Sequence, residues 1–189
     1  MLRFGRSLAK RAAWLALAAL AVAAVQPAMG QDATWELNPS GDFNTGSNWS
    51  PTTVPTGTAF FNPNSEQINV TVSSSTDIGG WTFNAGADAF KFTINQTLNF
   101  NGAGIVINSG SATIGNHSIL NFNNTATAGG ATISNYNALN FNNTSTAGSA
   151  AITNFGSLIF NDTATARAAT ASHAARLAKL RPKRNIGTA

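Results

Sequence analysis

Acid–base or metal chemistry in this chain would have to use a short set of side chains. The carboxylates are Asp32, Glu36, Asp42, Glu66, Asp77, Asp88 and Asp162, and the imidazoles are His117 and His173. Lys91 is the only Lys or Arg between Gln31 and Ala166. A carboxylate pair could hydrolyse a glycosidic bond, and a Ser-His-Asp set could transfer an acyl group. The spacing favours neither. From residue 111 to 166 the only acid is Asp162, with no Lys or Arg beside it. Asp162 takes the place that Asn124 and Asn143 hold in two similar stretches, so it reads as a turn residue. His117 takes the place of Tyr136 and Phe155, so it reads as a packing or surface-stacking position. No G-x-S-x-G turn frames a serine, and no G-G-x-G-x-D calcium nonapeptide occurs. There are no cysteines, which rules out thiolate metal ligands, a disulfide framework and a cysteine nucleophile. The expectation is no catalytic, cofactor-binding or metal site, and no enzyme.

What positions these residues is a repeat. "LNFNNTATAG", "LNFNNTSTAG" and "LIFNDTATAR" begin at Leu120, Leu139 and Leu158. Ile114, Ile133 and Ile152 keep the same interval, as do Asn116, Asn135 and Asn154, and Phe122, Phe141 and Phe160. Polar positions repeat as faithfully as apolar ones. A repeat of this length signals a solenoid. Leu120 and Phe122 flank Asn121, the alternation of a half-buried strand. Asn, Gly, Ser and Thr separate the strands and suit turns. These features predict an all-β fold, a right-handed parallel β-helix of about 19 residues per coil, with coils ~4.8 Å apart. Ile, Leu and Phe would then stack in apolar columns, and Asn116, Asn135 and Asn154 would form an amide ladder. The N-x-S/T triplets at Asn123, Asn142 and Asn161 fall in the same register and read as turn chemistry.

Upstream the pattern is looser, in "INVTV", "GGWTFN", "FKFTI" and "TLNFNGAGIVI". Val54 to Ala166 reads as roughly six coils by analogy with the clear ones. The expected organisation is a signal peptide at 1–30, an N-terminal cap at 31–55, β-helix repeats at 56–166 and a basic Ala-rich tail at 167–189. The cap segment has no period, and Trp35 and Trp49 would close the open first coil.

Composition agrees with a β-rich fold: charged residues are 10% of the chain, well below the usual quarter. The formal charge of +4 comes from the two ends. One lysine against seven carboxylates makes the body acidic, which rejects nucleic acid as its partner.

At the start, four basic residues precede an apolar run from Ala12 to Val25, and Ala28-Met29-Gly30 supplies small residues before Gln31. That layout predicts an N-terminal signal helix, cleaved on secretion. The run is too short for a membrane span, and no other stretch could form one, so no span is expected in the mature chain.

With cap and repeats in this order, "GDFNTGSNWSPTTVPTGTAFFN", "LNFNGAGIVINSGSATI" and the "LNFNNTSTAG" copies resemble the passenger region of bacterial autotransporters, with their autotransporter-associated β-strand repeats, over about Thr34 to Ala166. The resemblance implies a β-helical passenger exported through a C-terminal outer-membrane barrel of the same chain. Only residues 167–189 follow, so the chain reads as a truncated passenger without its barrel. It implies a Gram-negative bacterium and a place at the cell surface, secreted or in the periplasm. Parallel β-helices also include polysaccharide lyases and hydrolases, which makes a polysaccharide-acting enzyme the alternative.

After Ala166 the repeat calls for Gly, yet Arg167 appears and the chain turns basic. This change in mid-coil is expected to mark a frameshift or truncated gene, with a basic tail that binds lipid or nucleic acid as the alternative. Thr165 to Arg181 is rich in Ala, Leu, Arg and Lys and predicts a short C-terminal helix ended by Pro182. The function expected is a structural or adhesive surface solenoid. Its partner would be an unknown surface, glycan or protein ligand.

Overall fold

The computed structural model describes residues 30–36, 40–63 and 68–172. The expected signal helix, Glu66, His173 and the tail beyond Ser172 lie outside these residues.

Alternating side chains and polar turns give short strands that bury every second residue. Eight form one sheet: β1 (Ala33–Trp35), β3 (Trp49–Ser50), β4 (Thr58–Phe61), β6 (Thr76–Phe83), β8 (Leu98–Ile107), β10 (Ile119–Phe122), β12 (Ala138–Phe141) and β14 (Ser157–Phe160). Seven form the other: β2 (Gly41–Asp42), β5 (Ile68–Val72), β7 (Ala89–Ile94), β9 (Ser111–Asn116), β11 (Thr132–Asn135), β13 (Ala151–Asn154) and β15 (Thr170–Ser172). From β4 onward the chain alternates between the sheets and pairs each strand in parallel with the equivalent strand of the next coil. The result is a parallel β-solenoid of about 6 turns.

Register follows residue identity. Leu98 pairs with Leu120, Leu120 with Leu139, and Leu139 with Leu158. Phe100, Phe122, Phe141 and Phe160 stack with ring centroids 5.0, 5.0 and 4.9 Å apart. Ile114, Ile133 and Ile152 form a third buried column. Each column takes apolar surface out of water, at about 25 cal/mol per Å².

The expected coil length holds only at one end. Successive coils are 19 residues apart from Asn116 onward; upstream most equivalent residues are 22 apart, as between Asn99 and Asn121, with 24 in the second halves of β6 and β8 and 26 to 29 in the first coil. The difference lies in a third side of the coil. Upstream, the second halves of β6 and β8 pair from Gly80 with Gly104 to Phe83 with Ile107, and Trp81, Phe83 and Ile105 fill the interior. Downstream that side shrinks to single bridges linking Gly104, Thr127, Thr146 and Thr165. There the interior holds Ala126, Ala128 and Ala131, then Ala147 and Ala150. The solenoid therefore tapers from an aromatic-filled coil to an alanine-filled one.

The segment 31–55 is built into the sheets: β1 pairs in parallel with β4, and β2 with β5. β3 alone among the described strands runs antiparallel, setting Trp49 opposite Trp35. Their rings meet edge to face at 5.0 Å, and Trp49 Nε1 donates to the Phe43 carbonyl at 2.7 Å. β3 is the last strand at this end of its sheet.

At the other end the pairing continues past Ala166. The coil does not break at Arg167. With φ +48°, Arg167 adopts the left-handed conformation of Gly129 and Gly148 at +59° and +61°. The chain then pairs on as β15, with Ala171 opposite Ile152. Residues 165–172 are bridge, turn and strand, so no helix starts at Thr165. Helix propensity lost here to a backbone template already set by the coil below. The rest of the expected helix lies outside the described residues.

Candidate functional site

The titratable residues do not converge. Asp32 accepts from the Thr58 N–H at 2.6 Å, near the first coils. Asp42 accepts from Ser73 Oγ at 2.9 Å and from Thr45 Oγ1 at 3.3 Å, while its Oδ1 is buried with no partner. Asp77 accepts from Asn99 and Asn101 on the outer face of the long sheet. Asp88 lies in the turn before β7, Glu36 is exposed, and Lys91 is exposed on β7. Asp162 has φ +52°, matching Asn124 and Asn143 at +55° and +58°, and accepts from the Asn143 N–H at 3.2 Å. It is a turn residue, as its alignment predicted. Among the described residues no three His, Cys, Asp or Glu side chains gather in a metal-binding group. A groove of about 600 Å³ runs past Gly110, Gly129 and Gly148 to Arg167, and no carboxylate lines it.

What the structure does bring together is side chains of one kind, in columns along the solenoid. His117, Tyr136 and Phe155 stack at 4.7 and 5.2 Å with ring planes 6° and 7° apart. Tyr136 is 50% exposed and Phe155 55%. Tyr136 meets a ring on both faces and offers mainly its edge to solvent, while His117 and Phe155 each meet one ring of the column.

Asparagine forms the other columns, and they differ in kind. Asn116, Asn135 and Asn154 are buried at the corner after β9, β11 and β13. Asn116 Nδ2 donates to Asn135 Oδ1 at 2.7 Å and to the Ala138 carbonyl at 2.8 Å. Asn135 repeats the pattern with Asn154 and Ser157. Both amide hydrogens are used, as a buried amide requires. This is the expected ladder.

Two further columns face outward on the long sheet. Asn140 donates to Asn121 at 2.8 Å, Asn121 to Asn99 at 2.7 Å, and Asn99 to Asp77 at 2.7 Å. Two residues further along, in β8 and just past the ends of β10, β12 and β14, Asn161 donates to Asn142 at 2.7 Å, Asn142 to Asn123 at 2.8 Å, and Asn123 to Asn101 at 2.8 Å. Leu98, Phe100, Leu120, Phe122, Leu139 and Phe141 alternate with them and point inward. Asn123, Asn142 and Asn161 open turns, as their alignment predicted: their carbonyls accept from the N–H groups of Ala126, Ser145 and Ala164, while sequence reasoning missed the column of Asn99, Asn121 and Asn140. The signal was the repeated "LNFN", whose Asn residues both face outward once Leu and Phe face the core.

Comparison of the chain with protein-family models, with curated proteins and with solved structures gave no significant match.

Proposed function

We propose that the protein is an exported, passenger-type surface solenoid that works by presenting its long outer faces to a ligand outside the cytoplasm. The observation that carries this reading is the stacking of like residues in register over successive coils, on the surface as well as in the core. Core columns explain the solenoid's stability. Surface columns that repeat as faithfully suit an extended partner that meets the same groups at each coil. The N-terminal sequence supports export: a basic start, an apolar run and small residues before Gln31. The resemblance to autotransporter passengers points the same way.

The test is fractionation of a Gram-negative host expressing the full chain, with N-terminal sequencing of the recovered protein. Material outside the cytoplasm that begins at or near Gln31 is the expected result. Protein that stays in the cytoplasm and keeps Met1 would overturn the reading.

A further inference from the structure

We propose that the outward asparagine columns of the long sheet form a binding face for a neutral polysaccharide. The inference rests on the surface-solenoid reading above and names the ligand class of that surface.

The argument begins with hydrogen-bond capacity. An asparagine side chain carries two N–H donors and a carbonyl oxygen with two acceptor sites. In the buried column both hydrogens are spent, one on the next amide and one on a backbone carbonyl. In the outer columns Asn121, Asn123 and Asn142 each donate one N–H to a neighbouring amide oxygen and accept one from a neighbouring amide, and Asn99 donates to the Asp77 carboxylate. Each such amide keeps one N–H and one acceptor site for solvent or a ligand. The face is thus an array of donor–acceptor pairs, two per coil, repeated every ~4.8 Å.

Sugar hydroxyls both donate and accept, so a polyhydroxylated chain matches such pairs. The ladder bonds also hold the amides in one orientation before binding, which lowers the ordering cost of association. Charge narrows the class further. Asp77, at the foot of both columns, is the only ionisable residue bonded into them, and no Lys or Arg lies on β8, β10, β12 or β14. A face without cations has nothing to pair with an anionic glycan. A polypeptide ligand would need a broad apolar contact area, whereas these columns hold one apolar residue, Ile159, with the exposed Ile119 beside them on the same face.

The test is affinity electrophoresis of the purified mature protein through gels containing a β-glucan, a mannan or a galactan, with polygalacturonate as the anionic comparator. Retardation by at least one neutral polysaccharide is expected. The Asn121→Ala/Asn140→Ala variant should bind about tenfold more weakly, a loss of ~1.4 kcal/mol. Thr132→Ala/Ser134→Ala, on the other sheet, should bind as the parent does. If the asparagine variant fails to fold, titration of the parent with an oligosaccharide of the retarding polymer replaces it. The side-chain amide NMR signals of Asn99, Asn121 and Asn140 should then shift while those of Asn116 and Asn135 stay. Equal binding by the asparagine variant, shifts confined to other residues, or no retardation by any neutral polymer would each overturn the inference. Retardation by polygalacturonate alone would overturn it too, while leaving the surface-solenoid reading intact. That reading fails separately, on fractionation.

Discussion

The side-chain amide of Asn135 donates to Asn154 Oδ1 at 2.5 Å, across one coil of the solenoid, with both residues buried. Asn135 also accepts from Asn116 and donates to the Ser157 carbonyl, so one side chain satisfies groups on three coils. Replacing it orphans several of them at once. Asn135→Ala should destabilise the protein by about 3 kcal/mol, since each buried unpaired group costs ~1–3 kcal/mol. Asn121→Ala, whose partners can turn to water, should cost less than ~1 kcal/mol. Urea unfolding of the two variants checks the difference, and equal losses would mean that the two kinds of column are not distinct.

Position 148 and position 167 make opposite predictions at one site of the repeat. Gly148 has φ +61°, and a Cβ there would lie 2.7 Å from the Gly129 carbonyl oxygen. Gly148→Ala should therefore lower stability by at least the ~1–2 kcal/mol that the left-handed conformation costs a residue with a Cβ. Arg167→Gly removes such a cost and should raise stability by up to ~1 kcal/mol, after the added freedom of the unfolded chain. Thermal melts should move in opposite directions. A fall for both would show that Arg167 makes stabilising contacts that outweigh its backbone cost.

Trp49 and Trp81 are both fully buried, but only one has its indole N–H paired. Trp49 Nε1 bonds the Phe43 carbonyl, whereas Trp81 Nε1 has no partner. Each Trp→Phe change removes similar volume from the core. Trp49→Phe also leaves a buried carbonyl unpaired, while Trp81→Phe removes an unpaired donor. Trp49→Phe should be the more destabilising by about 1–3 kcal/mol in chemical denaturation. The reverse order would mean that the Trp81 pocket relaxes less than the Trp49 pocket does.

The legible part of this fold lay where identical residues recur. Leu120, Leu139 and Leu158 announce their register because a stacked column rewards the same shape at each coil. The wider upstream coils were harder to read because their third side is held by Trp81, Phe83 and Ile105, which share no single residue type with the alanines that replace them. The continuation of the coil past Arg167 was hidden for a different reason. The arginine side chain breaks the pattern of Gly129 and Gly148, but its backbone can take their conformation for ~1–2 kcal/mol, and the strand below then directs the pairing of β15. The outer asparagines were visible as letters but not as a surface. Their role appears only when the inward turn of Leu and Phe sends both Asn of "LNFN" to the same outer face.

The account depends above all on coils stacked in register. Asn69, Lys91, Thr113, Thr132 and Ala151 are successive partners along the shorter sheet. Four rungs of ~4.8 Å put Asn69 and Ala151 about 19 Å apart. Both are exposed, and the chain has no native cysteine to compete for label. Spin labels on the Asn69→Cys/Ala151→Cys variant should give a narrow distance distribution near this value by pulsed electron paramagnetic resonance. A broad distribution, or a narrow one centred beyond about twice that distance, would contradict the stacked solenoid and every prediction built on it.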